Sequence, residues 1–149
     1  MSKMREDMLI SLGKPPRAKD KNISKVMKSN KAKNTKPELI LRKALRANRL
    51  SGYRLHPKRV PGRPDICFIG KRVAIFVNGC FWHRCPHCRL PLPRTNREFW
   101  RKKFLRNIER DRLKEERLIG EGWTVLTFWE CEIKRDTKSI LEKVMTYLV

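Results

Sequence analysis

The spacing of apolar residues along the chain predicts an alternation of helices and strands. Runs rich in β-branched and aromatic residues predict four strands, at about residues 53–57, 66–69, 73–77 and 123–129. Apolar residues three and four positions apart predict three helices, at about 36–49, at about 96–119 and after Asp136. The order α-β-β-β-α-β-α favours an α/β fold with a single mixed β-sheet flanked by helices. The last strand is expected to lie parallel to a neighbour, because it follows a helical crossover.

Local signals mark the ends of the first helix and of one strand pair. Thr35 followed three residues later by Glu38 is the pattern of a capping box, and Pro37 suits the first turn of the helix. Between the second and third strands, Gly70-Lys71 predicts a two-residue hairpin turn. These two strands are therefore expected to pair antiparallel.

The two later helices have their own boundary signals. The long helix is expected to begin after Thr95 or Asn96 and to be closed by Gly120 and Gly122. Its buried stripe is predicted to consist of Trp100, Phe104 and Ile108. Asp136 is the expected cap of the last helix. The apolar face of that helix is predicted to consist of Ile140, Val144 and Leu148.

Composition narrows the class of protein. The 149 residues suit one domain that needs no disulfide bonds. No apolar run could cross a bilayer and no signal-peptide pattern is present, so we expect a soluble cytoplasmic protein. With 37 Lys and Arg against 15 Asp and Glu, the formal charge is +22, which predicts a polyanionic partner. Charge alone leaves DNA, RNA of the ribosomal kind and an anionic membrane open.

The positive charge is concentrated towards the N-terminus. Residues 1–63 carry 19 basic and 4 acidic side chains, which makes this segment the better candidate for phosphate contact. Its first part is rich in Lys, poor in aromatic residues and interrupted by Pro15-Pro16. We therefore expect a disordered basic arm over residues 1–22 and a folded domain over 23–149.

The five cysteines suggest metal binding, because disulfides are rare in cytosolic proteins. Three of them lie within nine residues and a fourth follows the last predicted strand. The four candidate ligands are Cys80, Cys85, Cys88 and Cys131. Four thiolates would form a closed tetrahedral site for a structural Zn²⁺. His87 in place of Cys88 remains an alternative, and Cys67, within a strand, is expected to be a buried core residue.

Two acids and a histidine are candidates for catalysis. Asp65 stands at the start of a strand, where an aspartate is often only a turn or cap residue. Asp111 shares a stripe of the long helix with Asn107 and Ile108, and an acid on an apolar edge needs a partner. His83 is the obvious candidate, since an Asp–His pair provides an oriented general base. Alternatively, His83 is a zinc ligand, because it lies close to three cysteines.

Several rare motifs in this order resemble the very-short-patch repair (Vsr) mismatch endonucleases, over about residues 23–133. The motifs are Pro61-Gly62-Arg63-Pro64-Asp65, Gly79-Cys80-Phe81-Trp82-His83, Asn96-Arg97-Glu98-Phe99-Trp100, Asn107-Ile108-Glu109-Arg110-Asp111 and Trp129-Glu130-Cys131. The resemblance implies a variant of the PD-(D/E)xK nuclease fold, in which the strand acid binds Mg²⁺ and the usual second acid and lysine are absent. Residues 74–77 fit this departure, since they contain no such pair.

The resemblance also implies a role for each candidate residue. Asp65 would bind catalytic Mg²⁺ together with the backbone carbonyl of Val77, His83 would be the base, Asp111 would orient it, and Glu38 would lie near the site. The rings of Phe81 and Trp82 would intercalate at the mismatch, although adjacent aromatic residues are more commonly core residues. One departure is Asn78, where some members have a histidine, which puts a second histidine's role in leaving-group chemistry in doubt.

The function implied is Mg²⁺-dependent nicking of one strand of duplex DNA next to a T:G mismatch. The partner is then mismatched double-stranded DNA, and we expect a monomer that works beside other repair proteins. A zinc-stabilised nucleic-acid-binding module without catalysis is the main alternative, but it leaves Asp65, His83 and Asp111 unexplained. A restriction-type nuclease of the same fold is a further alternative.

Overall fold

A mixed four-stranded sheet forms the centre of the protein. The structure, a computed structural model, describes residues 33–149. The strands are β1 (Arg54–Leu55), β2 (Ile66–Phe68), β3 (Val73–Asn78) and β4 (Thr124–Trp129), in the spatial order β1-β2-β3-β4. The first three are antiparallel neighbours, and β4 lies parallel to β3. The predicted mixed sheet is thus confirmed, whereas the arm predicted for residues 1–22 lies outside the described residues.

Helices cover both faces of this sheet. They are α1 (Lys36–Ala47), α2 (Arg97–Gly120), α3 (Glu130–Arg135) and α4 (Thr137–Leu148). The larger core joins alternate strand residues to α1, α3 and α4; its fully buried members include Leu41, Ile75, Ile133 and Val144. The opposite face packs the intervening strand residues against Leu118 of α2. Alternate residues of β2 and β3 therefore serve two cores, which is why β2 and residues 73–77 of β3 are apolar on both faces.

The first helix forms where predicted, but its capping box does not. Thr35 is the residue before the helix, yet its side chain makes no capping hydrogen bond, and its Oγ1 is buried without a partner. Glu38 instead accepts hydrogen bonds from the backbone N–H of Asn34, at 3.0 Å, and from Arg42, at 3.0 Å. The charged donor Arg42 holds the carboxylate, so Glu38 is not available to Thr35.

The stripe predicted for α2 is correct at two positions and wrong at the third. Trp100 and Phe104 are buried, but Ile108 is 44% exposed. At 24 residues, α2 is about 36 Å long, and its buried residues lie towards its two ends. Ile108 lines a groove of about 470 Å³ between the middle of this helix and strands β3 and β4. Leu118, near the end of the helix, is buried again.

Three smaller expectations can be compared with the structure. The β2–β3 hairpin has four loop residues, with Arg72 at φ 52°, so the prediction of a two-residue turn is wrong. Gly122, at φ +87°, closes α2 as predicted, whereas Gly120 is the last residue within the helix. Asp136 caps α4 as predicted, by accepting from the backbone N–H of Ser139. Helix α3 was not predicted, because six residues are too few for a periodic signal.

Candidate active site and cysteine cluster

A cleft of about 1240 Å³ lies beside the end of β3. The start of α1, the turn before β2, the end of β3, the loop after it and the middle of α2 all contribute to its wall. All the candidate catalytic residues line it, together with a second histidine: Glu38, His56, Asp65, Val77, His83 and Asp111. The fold thus brings together residues that are up to 73 positions apart in the chain.

Within residues 33–149 no helix has the length and apolarity to span a bilayer.

Asp65 lies at the floor of this cleft, one residue before β2. Its Oδ2 accepts a 2.7 Å hydrogen bond from the backbone N–H of Val77 in the neighbouring strand. Burial and, after it, the nearby Glu38 carboxylate raise the pKa of Asp65 to about 7, against the lowering effect of this hydrogen bond. A cation bound here would favour the ionised carboxylate. Carboxylate oxygens and the backbone carbonyl oxygen of Val77 are ligands that suit a hard divalent ion.

Glu38 is a fully enclosed acid beside Asp65. It is only 1% exposed, and the guanidinium of Arg42 from the next helical turn lies 3.0 Å from its Oε2. The same Arg42 nitrogen donates to the side-chain oxygen of Asn34 at 2.9 Å. A buried carboxylate needs such partners, because the cost of removing it from water is otherwise large.

His56 lies between the two acids and was not among the predicted site residues. Its Nδ1 is 3.5 Å from Asp65 Oδ1, and its Nε2 is 3.3 Å from Glu38 Oε2. Burial lowers the pKa of His56, against the raising effect of Glu38. The pairing of Leu55 with Ile66 sets His56 opposite Asp65 when it is continued by one residue. Antiparallel pairing of the predicted strands would have revealed this contact.

On the other side of the cleft, His83 and Asp111 form the pair expected from the sequence. Their Nδ1 and Oδ2 atoms are 2.5 Å apart, and both side chains are about one-third exposed, at 30% and 29%. The adjoining Asn107 donates from its side chain to the carbonyl of Trp82 at 3.1 Å. Since Asp111 engages Nδ1 of His83, Nε2 is the ring nitrogen that can accept a proton from the cleft.

The four cysteines chosen as metal ligands come together directly behind this wall. Their sulfur atoms all lie within 4.8 Å of one another. The members are Cys80, Cys85, Cys88 and Cys131. Cys80 follows β3, Cys131 lies in the first turn of α3, and the parallel β3–β4 pair delivers both to the same edge of the sheet.

The local backbone favours the thiolate at Cys85, whereas burial raises the pKa of Cys131. Burial acts to raise the pKa of Cys85, but the backbone N–H groups of Cys88 and His87 donate to its sulfur and the net effect is to lower it. Burial raises the pKa of Cys80. Four sulfurs at this separation match the closed, all-thiolate donor set that zinc takes in structural sites. The cluster can therefore hold a metal ion such as zinc.

The remaining candidate ligands are directed elsewhere. His87 is 57% exposed, and its Nε2 lies 2.9 Å from a carboxylate oxygen of Glu132. His83 contacts Asp111, as described. Cys67 is fully buried against the α2 face of the sheet, as predicted, and burial raises its pKa to about 11.

Phe81 and Trp82 form an aromatic wall above the cleft. Both are half-buried, and Phe81 contacts Phe104 and Trp100 of α2 at centroid distances of 5.3 and 6.1 Å. The ammonium group of Lys103 lies 5.4 Å from the Trp82 ring centroid. The rings are thus neither core residues nor freely exposed, since α2 anchors one side of them and the other side lines the cleft.

Comparison with known proteins identifies a family to which this chain is similar. The family described as DNA mismatch endonuclease Vsr matches residues 16–90. The type II nicking enzyme V.NmeDIP of Neisseria meningitidis serogroup C is 46% identical over 80% of this chain and 81% of its own length. The type II nicking enzyme V.XorIIP of Xanthomonas oryzae pv. oryzae is 42% identical, over 72% and 79%. The DNA mismatch endonuclease Vsr of Escherichia coli K12 is 38% identical, over 83% and 78%.

The mixed sheet, the acid and histidine cleft and these relatives define a DNA endonuclease, a hydrolase of phosphodiester bonds. The chain belongs to the Vsr family of DNA mismatch endonucleases. The resemblance inferred from the motifs is thereby confirmed, and the interpretation as a binding module without catalysis is wrong.

Proposed function

We propose that this endonuclease nicks one strand of duplex DNA next to a T:G mismatch, by Mg²⁺-dependent hydrolysis of a phosphodiester. The observation that carries the proposal is the cleft itself: a carboxylate anchored by a backbone amide faces a hydrogen-bonded His–Asp pair across one cavity. Phosphodiester hydrolysis needs these two functions, a site for a cation and an oriented base.

In this proposal, His83 takes a proton from the attacking water at Nε2. Asp111 accepts from Nδ1 and so fixes the tautomer and the orientation of the ring, and it stabilises the positive charge that develops on the imidazole. Asn107 holds the loop that carries this histidine, by donating to the backbone carbonyl of Trp82. Each of these groups is part of the chain and is already in contact before DNA binds.

Asp65 and the backbone carbonyl of Val77 would hold Mg²⁺, and Glu38 lies beside them. When bound, Mg²⁺ supplies positive charge to the phosphoryl and leaving oxygens. Ala74 to Val77 offers neither the second acid nor the lysine of related nucleases. Asn78 is buried at the end of β3, opposite Trp129, and its amide is not a proton donor to a leaving group in the way an imidazolium is.

The four-cysteine cluster serves, in our proposal, as a structural Zn²⁺ site. All four coordination positions would be occupied by sulfur, so the ion would perform no chemistry. It would hold the loop that carries Phe81, Trp82 and His83 to the end of the last strand. The two rings would then be presented to DNA as a wedge at the mismatch.

The relatives support a second candidate function. Two of the named relatives are type II nicking enzymes, which favours service beside a restriction–modification system over general repair. The chemistry is the same in both cases and only the sequence around the mismatch would differ. We further propose that the protein acts as a monomer in the bacterial cytosol alongside other repair proteins, with residues 1–22 as a basic arm and 23–149 as the nuclease domain.

A panel of duplexes tests the proposal directly. Full-length protein is incubated with Mg²⁺ and duplexes that differ only in carrying a T:G mismatch, in several sequence contexts, and each strand is labelled separately. We expect cleavage of the T-containing strand only, and none with Asp65→Ala, which should still bind DNA because Lys and Arg supply the affinity. Equal cleavage of matched duplexes, or retained cleavage by Asp65→Ala, would contradict the proposal.

A further inference from the structure

An enclosed polar chain runs from α1 into the cleft through His56. The side chain of His56 is 12% exposed, and it contacts the two acids named above, whose side chains are 1% and 15% exposed. In the proposed mechanism neither the base nor the metal ligands include this histidine. Its placement between Glu38 and Asp65 therefore requires an explanation of its own.

The polar contacts around Glu38 bear on which ring nitrogen of His56 donates. Glu38 Oε2 already accepts from Asn34 N–H and from Arg42, both at 3.0 Å. The same Arg42 nitrogen lies 3.5 Å from His56 Nε2, but its two hydrogens are directed at Glu38 and at the side-chain oxygen of Asn34. A proton on Nε2 would face Glu38 Oε2 at 3.3 Å, whereas a proton on Nδ1 faces Asp65 Oδ1 at 3.5 Å, and this second tautomer is the one that can orient Asp65.

With this tautomer, both oxygens of Asp65 are oriented by the protein. The backbone N–H of Val77 donates to Oδ2, and Nδ1–H of His56 faces Oδ1. His56 reaches this position with a left-handed backbone, at φ 46°, directly after β1. Histidine is one of the non-glycine residues that are enriched in this conformation, so the residue type suits the backbone at this position.

We propose that His56 is a positioning residue for the nuclease reaction, which orients the Asp65 carboxylate for metal binding and links it to the Glu38–Arg42 pair of α1. This inference rests on the proposed role of Asp65 as a Mg²⁺ ligand. A carboxylate held at both oxygens presents its remaining lone pairs in one direction, so less order is lost when the ion binds.

The test separates metal affinity from chemistry. Single-turnover cleavage of a T:G-mismatched duplex is measured against Mg²⁺ concentration for full-length wild-type protein and His56→Ala. We expect the half-saturating Mg²⁺ concentration to rise about tenfold in the variant, with a smaller loss of rate at saturating Mg²⁺. His56→Gln keeps a donor and should recover most of the affinity. DNA binding without Mg²⁺ should be equal in all three.

Matched controls separate the possible failures. Arg49→Ala places alanine at another left-handed position, φ 60°, away from the cleft, and controls for backbone strain. If His56→Ala shows the wild-type Mg²⁺ dependence while Asp65→Asn is inactive, only the role of His56 is rejected. If Asp65→Asn cleaves, the proposed function itself fails.

A measurement on the wild-type protein decides the matter even if His56→Ala does not fold. The ¹⁵N spectrum of the imidazole side chains should show the Nδ1–H tautomer at His56. An Nε2–H tautomer at this residue would overturn the proposal.

Discussion

Two polar clusters lie back to back at the end of β3. They differ in whether the protein supplies every ligand of a bound metal ion or leaves positions open. The cysteine cluster gathers four sulfurs within 4.8 Å. The cleft gathers acids and histidines along a cavity of about 1240 Å³. A closed donor set can only hold a metal ion, whereas an open one leaves positions for substrate. In our proposal, the same strand therefore supplies stability on one side and chemistry on the other.

The largest effect is expected where the donor set is closed. Cys131→Ala should leave three sulfurs and unfold the protein, because metal binding at structural sites of this kind contributes about 10–16 kcal/mol in peptides. Elemental analysis should give one zinc per wild-type chain, and thermal unfolding followed by circular dichroism should show the loss in the variant. Cys67→Ala, outside the cluster, is the matched control and should keep its zinc. Zinc-free wild-type protein that is folded and active would contradict the structural role.

At the open site, removal of one group should stop the reaction and spare the fold. His83→Ala should lower the single-turnover rate by about 10²–10⁴-fold, since it removes the general base that we propose. Its zinc content and its melting temperature should stay close to those of wild type, because about a third of this side chain is exposed. Asp111→Asn should act in the same direction but less strongly, since it disturbs the orientation of the base without removing it. Loss of zinc from His83→Ala would move this histidine into the metal site.

The aromatic wall lies between the two clusters and should show a more selective effect. Unstacking a base step costs about a few kcal/mol, and a T:G step opens more cheaply than a matched one. Trp82→Ala should therefore narrow the ratio of mismatched to matched cleavage more than it weakens DNA binding. A 2-aminopurine beside the mismatch should brighten with wild-type protein and less with the variant. A variant that folds and discriminates normally would exclude the wedge.

The smallest effect is expected from deletion of the basic residues 1–22, which belong to neither cluster. Deleting residues 1–22 should flatten the plot of log binding constant against log salt, by about 0.9 for each phosphate that the arm neutralises. Mismatch selectivity should be unchanged, because phosphate contacts carry no sequence information. An unchanged slope, measured by fluorescence anisotropy, would show that this segment does not touch the DNA backbone.

Sequence reasoning succeeded where residue spacing and the order of elements contained the signal. The cysteine spacing indicated the four-sulfur cluster, and the order of strands and helices indicated the mixed sheet. It failed where the environment was set by elements far apart in the chain. Ile108 has perfect helical spacing from Phe104, but a groove separates it from the sheet. His56 has no motif of its own, and only the register between β1 and β2 brings it to Asp65.

The parallel register of β3 and β4 also has a consequence for the order of folding. Asn78 pairs with Trp129, so Cys80 and Cys131 emerge two residues beyond the last paired positions of two neighbouring strands. The sulfur atoms of Cys80 and Cys131 therefore come together only when β3 pairs with β4. Pairing of strands that lie far apart in the sequence is a slow step in folding. Metal capture is expected to be a late event during refolding. Its rate should report when the last strand has joined the sheet.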